Sequence, residues 1–238
     1  MVYNIIRSLK GGRIEMNIKL FFQAIIKFAI GAILIGLLLF VPANTINYWN
    51  GWLFMGLLFI PMFIAGIVMM IKSPDLLKKR LNAKETEGEQ KQVILYSGLM
   101  FLVGFIIAGL NYRYTWVEIP ETVVIVSSVI FVIAYILYAE VLRENVYLSR
   151  TIEVQENQKV VDTGLYGIVR HPMYAATILL FLSMPLVLGS IISFVIFLVY
   201  PFIIAKRIKN EEEVLEKELY GYSEYKKKVK YKMIPFVW

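Results

Sequence analysis

Cysteine is absent from this chain of 238 residues, and histidine occurs once, at position 171. The first absence excludes disulfides, thiolate metal sites and cysteine nucleophiles. The second leaves a transition metal little but carboxylates to bind, so no metal site is expected. Charge is scarce too. Asp, Glu, Lys and Arg make up 18% of residues, against about 25% in a soluble domain. Mean hydropathy is +0.65, and 58% of the chain is hydrophobic. Several runs of about 20 nearly uncharged residues are long enough to cross a hydrocarbon layer of ~30 Å. The expected class is therefore an all-α integral membrane protein, a single membrane domain over residues 1–238.

A short cytosolic segment, 1–17, precedes four expected transmembrane helices within 18–141. The first, 18–41, is too long for a signal-peptide core and is read as a retained span. The second, 51–71, opens beside Trp49 and Trp52, an aromatic pair suited to an interface. The third and fourth are 93–111 and 121–141. The apolar stretch 173–206 is interrupted by Pro185, Gly189 and Ser190. It predicts two short helices, 173–188 and 191–206, forming a tilted or partly re-entrant hairpin. The count is thus five to six membrane helices. Between them, 72–92 reads as a polar loop with a short helix along the membrane, and 151–172 as a β-hairpin around an ENQ turn.

The net charge of +7 could suggest nucleic acid, but its distribution argues otherwise. All of the 25 Lys and Arg residues except Lys27 and Arg113 fall within the first 19 residues, in 72–91, in 142–172 or after 205. These segments lie on one side of the predicted topology, so the positive-inside rule puts both termini in the cytosol. Membrane lipids are the expected surroundings, and nucleic acid is not an expected partner; a headgroup role for the basic tail stays open. The spans contain few ionisable residues beyond Lys27, Glu121 and Glu140, which argues against a transport pathway. Nothing in the composition fixes an oligomeric state.

Two polar clusters flank the C-terminal hairpin. Arg170-His171-Pro172-Met173-Tyr174 stands at its entrance, and Lys206-Arg207-Ile208-Lys209-Asn210-Glu211-Glu212-Glu213 at its exit. A helical hairpin returns its ends to one membrane face, so the clusters should be neighbours able to bind a small zwitterion. Each residue alone has a plainer reading: cations at helix ends anchor to headgroups, and a glutamate run is commonly a solvated face. Their convergence supports function without naming a reaction.

The stretch VQENQKVVDTGLYGIVRHPMY, 154–174, carries a small-residue turn, a Tyr and then R-H-P-x-Y. Downstream stand Arg207, Glu211-Glu212, Leu215, Gly221, Tyr225 and Ile234-Pro235. This pair of motifs resembles the isoprenylcysteine carboxyl methyltransferase family and its phospholipid methyltransferase relatives, over roughly 140–238. The resemblance implies S-adenosylmethionine as methyl donor, bound by a cytosolic loop and tail within 142–238. It implies that Gln155, Gln158, Lys159, Val160 and Val161 line the cofactor. Tyr166, His171, Pro172, Met173 and Tyr174 would pack on it, while Glu211 takes its ammonium with Glu212 in support. Gln158 stands where family members often have a histidine, which weakens the carry-over of that run.

Methyl transfer from a sulfonium needs alignment and exclusion of water rather than a metal or a covalent intermediate. For a carboxylate acceptor Arg207 is the candidate orienting cation, with Arg170 second; an amine acceptor would need a proton sink such as Glu212 or Glu213. The apolar surround favours a lipid or lipophilic small molecule as acceptor, possessing a terminal carboxylate or amine. Met62, Met69, Met70, Met100 and Met184 could line its path, although methionine in spans is more often packing. His171 has two readings, a donor to the cofactor or a structural tether. Two rivals stand beside the methyltransferase: a sterol-reductase-like enzyme using NADPH, and a non-enzymatic membrane protein on the same scaffold.

Overall fold

The structure is a computed structural model. It describes residues 2–81, 88–148 and 154–238, with side chains for 18–81, 91–148 and 154–238. Its described elements are helical: α1 (Val2–Ala43), α2 (Trp49–Lys72), α3 (Pro74–Leu81), α4 (Gly88–Tyr114), α5 (Glu121–Glu144), α6 (Pro172–Val187), α7 (Ile191–Phe197), α8 (Tyr200–Glu218) and α9 (Tyr222–Lys228), with a 3₁₀ turn at Gly164–Gly167. Five segments are long and apolar enough to cross a membrane: 18–43, 49–72, 91–114, 121–144 and 191–218. The α6 helix is apolar but has 16 residues, or about 24 Å at 1.5 Å per residue, short of the ~30 Å layer.

Lipid removes the usual hydrophobic drive for helices to associate, so close packing and internal hydrogen bonds must hold the bundle. The interior is aromatic: Phe54, Phe131, Phe197 and Tyr48 are fully buried, and Phe101 meets Phe181 and Phe197 edge-on at 4.8 and 5.4 Å. Outward faces keep residues such as Phe22, Ile30, Ile64 and Phe202 exposed for lipid. The α1 and α4 helices approach closely because Gly109 carries no side chain; a Cβ there would stand 2.5 Å from the Leu39 carbonyl.

One end of the bundle is sealed by side chains that satisfy helix-terminal carbonyls. Tyr48 Oη donates to Leu188 O at 2.5 Å and Asn50 Nδ2 to Val187 O at 3.1 Å. Asn111 Nδ2 reaches Val117 O at 3.0 Å and Gly189 O at 3.4 Å. Gly189, at φ +75°, makes the left-handed turn that ends α6, and the Ser190 hydroxyl caps α7 by accepting from Ser193 N at 3.2 Å. The polar site lies at the other end.

Two expectations change. The second arm of the hairpin does not stop at 206: α7 and α8 form a broken span of 28 residues, 191–218, interrupted at Leu198–Val199 just before Pro201, which has no amide hydrogen to donate. No strand occurs among the described residues. The ENQ turn exists, with Gln158 N on Gln155 O at 3.0 Å and Asn157 at φ +57°, but it closes a coil, and 149–153 lie outside the described residues. Lys27 lies within the first span as expected, and its Nζ donates to Leu81 O at the end of α3, 2.6 Å away. The short helix expected in 72–92 is α3.

Substituting Gly109→Val should overpack the α1–α4 contact at a cost of about 1–3 kcal/mol, with melting lowered by about 2–4 °C per kcal/mol. Gly98→Ala on the same helix, where a Cβ meets nothing within 4 Å, should leave melting in detergent unchanged or raised.

Candidate active site

The site is built where the approach to α6 runs beside the C-terminal tail. Arg170 N donates to Tyr231 O at 2.9 Å and His171 N to Lys232 O at 2.7 Å. Pro172 then opens α6 in the first turn, where its missing N–H costs nothing. The Arg170 side chain extends the same junction. Its Nη1 donates to Val229 O and Lys230 O at 2.7 and 2.8 Å, and its Nε to Glu212 Oε1 at 2.7 Å. The same carboxylate oxygen lies 3.1 Å from His171 Nε2. Arg170, His171 and Glu212 are all buried. Lys226 Nζ approaches the other oxygen of Glu212 at 3.8 Å.

The neighbouring glutamate has a different task. Successive helical residues point about 100° apart, so while Glu212 turns to Arg170, Glu211 faces α6. Tyr174 Oη donates to Glu211 Oε2 at 2.5 Å and accepts from Arg207 Nε at 2.9 Å. One phenol thus joins the carboxylate and guanidinium, which stand one helical turn apart on α8.

Between these networks lies a cavity of about 100 Å³. Its floor is fixed by the 164–167 turn, where Gly164 takes φ +50° and a Cβ would collide with the Glu144 carboxylate. That carboxylate accepts from Leu165 N at 3.0 Å. Tyr166 Oη accepts from Asn145 Nδ2 at 3.0 Å, and Tyr225 Oη donates to Tyr166 O at 2.7 Å. Burial pushes the Tyr166 and Tyr225 phenols well above their ordinary range, so both stay neutral. At the exposed rim, Lys228 holds the Asp162 carboxyl below its ordinary value through a 2.8 Å bond.

Most residues singled out from the sequence border this space: Gln158, Lys159, Val160 and Val161 on the loop, Tyr166, Arg170, His171, Met173 and Tyr174 before and along α6, and Arg207 and Glu211 on α8. Gln155, Pro172 and Glu212 do not. Gln155 is spent on Lys79 Nζ at 2.5 Å, Tyr147 O at 2.6 Å and the Gln158 side chain. Pro172 is buried in the first turn of α6, and Glu212 is enclosed by Arg170 and His171. Arg170 reaches the cavity with its Nε and Nη1 already bonded, and His171 Nε2 is held by Glu212, which gives both a tethering role. The sequence reading missed Asn145, Tyr147, Leu148, Leu219 and Tyr222 on the wall. Asn145, the C-cap of α5, had only its position after a long apolar run to signal it.

A larger cavity of about 1030 Å³ opens at the sealed end, among α2, α5 and the α4–α5 connection. Its Asn50, Asn111 and Ser128 side chains are bonded within the protein. Among the described residues no group of three His, Cys, Asp or Glu side chains could hold a metal ion.

Residues 123–217 match the model of the isoprenylcysteine carboxyl methyltransferase (ICMT) family. Over this stretch the chain is similar to that family. The stretch takes in α5, the cavity-forming loop, α6, α7 and nearly all of α8, and so contains Arg170, His171, Tyr174, Arg207, Glu211 and Glu212. No curated protein matches the chain. The similarity to a methyltransferase family thus falls on a chain with five helices long and apolar enough to cross a membrane.

Removing one partner of a buried ion pair strands the other charge and costs about 3–5 kcal/mol. Arg170→Met should therefore lower melting and make the tail after 228 accessible to limited proteolysis. The double variant Arg170→Met/Glu212→Leu, which removes the stranded carboxylate, should recover part of the melting loss. A double variant no more stable than the single would contradict the pairing.

Proposed function

We propose that this protein transfers a methyl group from S-adenosylmethionine to the carboxylate of a lipophilic acceptor at the cytosolic face of the membrane. The observation that carries the reading is the Glu211–Tyr174–Arg207 arrangement: an acid and a cation border one cavity, joined through a single phenol. The donor set fits the cofactor. Glu211 offers a carboxylate for its ammonium, a charge-assisted pair. Val160, Val161, Leu215 and Leu219 supply apolar walls for a flat base. Bound there, S-adenosylmethionine supplies a sulfonium methyl, which the acceptor carboxylate takes in line as the carbon–sulfur bond breaks, with no proton to move.

The protein's contribution is placement. Arg207 stands where the apolar run YPFIIA of α8, 200–205, gives way to charge. A lipid tail along that run would leave its carboxylate level with the guanidinium. Tyr174 fixes the guanidinium through Nε, and the tail and loop keep water away. An amine acceptor would need a proton sink. Glu212 is held by Arg170 and His171, and Glu213 is exposed and away from the cavity wall, which favours the carboxylate. A reductase would need cations for a nicotinamide phosphate, and of the bordering Lys159, Arg170 and Arg207 both arginines are already engaged by protein partners. The cytosolic placement rests on the one-sided distribution of Lys and Arg.

Methyl-tritiated S-adenosylmethionine, incubated with purified protein and a membrane lipid extract, should label lipid that releases volatile methanol in base, as a methyl ester does. Base-stable label would instead establish an amine acceptor, and no label would overturn the proposal. Arg207→Lys, which loses the planar fork, should cut transfer about 10²-fold while S-adenosylmethionine affinity holds.

A further inference from the structure

Four buried tyrosines border the cavity. Three of their hydroxyls have partners: Tyr166 with Asn145, Tyr174 with Glu211 and Arg207, and Tyr225 with Tyr166 O. The fourth does not. Tyr222 is 4% exposed, it borders the cavity, and its hydroxyl has no hydrogen-bond partner among the described residues. A buried hydroxyl without a partner costs free energy that phenylalanine would avoid, so its retention needs a reason. Its ring has one already, packed with Leu219, Tyr225 and Val229. That reason does not extend to the oxygen.

The surroundings of the phenol indicate which ligand group it meets. Burial first, then the charges of Glu212 and Glu211, push Tyr222 up, so at neutral pH it remains a donor. It therefore lies within the field of Glu211, the carboxylate assigned to the ammonium of the cofactor. In an α-amino acid the carboxylate is one carbon from the ammonium, so it must settle close by, against two negative side chains. It needs a donor there. Arg170 has its Nε and Nη1 engaged by Glu212, Val229 O and Lys230 O. Among the buried hydroxyls of the wall that of Tyr222 is the one without an engagement among the described residues, held at the start of α9 by Gly221 at φ +85°. We propose that Tyr222 Oη donates a hydrogen bond to the α-carboxylate of S-adenosylmethionine, selecting cofactors that carry an intact amino-acid end. This rests on the methyltransferase reading above.

The test compares wild type and Tyr222→Phe as full chains in detergent, by melting and by calorimetric binding. The two probes are S-adenosylhomocysteine and methylthioadenosine, a nucleoside thioether lacking the amino-acid end. Melting of the ligand-free Phe variant should be unchanged or raised, since an unpaired hydroxyl is removed. Its affinity for S-adenosylhomocysteine should fall roughly 10- to 100-fold, the loss expected for a hydrogen bond to a charged group, while methylthioadenosine affinity stays the same. A lower melting point without ligand would show an internal partner and overturn the proposal. Equal losses for both compounds would move the contact to the nucleoside and overturn it too. Wild-type binding that Tyr222→Phe leaves intact overturns this proposal alone, whereas a wild type that binds neither compound removes the methyltransferase reading with it.

Discussion

The site depends on one buried carboxylate. Glu212 is shared by Arg170 and His171, and through them it ties α8 to the entrance of α6 and, by way of the Arg170 guanidinium, to the carbonyls of Val229 and Lys230. Three segments far apart in sequence meet at this charge. A carboxylate removed from water is costly unless paired and hydrogen-bonded, so the cost is offset only when all three are in place. The coupling makes the arrangement specific: the tail cannot move away without exposing two guanidinium bonds, and α6 cannot slide without stranding the acid.

With the neighbouring glutamate committed in this way, Glu211 is available for another purpose, and the division of labour on α8 follows from helix geometry alone. Tyr174 mediates between Glu211 and Arg207, holding opposite charges at a set distance while keeping a neutral group between them. Such a device suits methyl transfer from a sulfonium, where the reaction gains from alignment and a dry surround more than from acid–base chemistry. The broken span of α7 and α8 carries an apolar run directly up to Arg207, the position that the proposed function gives to the acceptor's carboxylate.

Much of this was legible in the sequence because two strong signals coincide. Hydropathy located the helices to within a few residues, and the hairpin placed the R-H-P and E-E motifs together. The failures have physical causes. The span through 191–218 was cut short at 206 because Lys206 and Arg207 end the apolar run, whereas the helix itself continues on backbone hydrogen bonds. Hydropathy placed Lys27 within the first span but could not show that α3 returns to meet its ammonium. The β-branched loop suggested a hairpin, yet its partner in the described structure is the C-terminal tail, met by backbone pairing at Arg170 and His171 and by side-chain contacts elsewhere. Which of two adjacent glutamates faces the cavity, and which of two nearby tyrosines lacks a partner, depends on side-chain direction, which no motif encodes.

The central claim is that the cavity bounded by Glu211, Tyr174 and Arg207 is a sulfonium-cofactor site. Calorimetric titration of the purified full chain with S-adenosylmethionine, alongside Glu211→Ala, tests it most directly. The account predicts saturable binding in the micromolar to submillimolar range, about where enzymes hold such substrates, and its loss in the variant. Absence of binding by the folded wild type, with saturable binding of NADPH in its place, would contradict it.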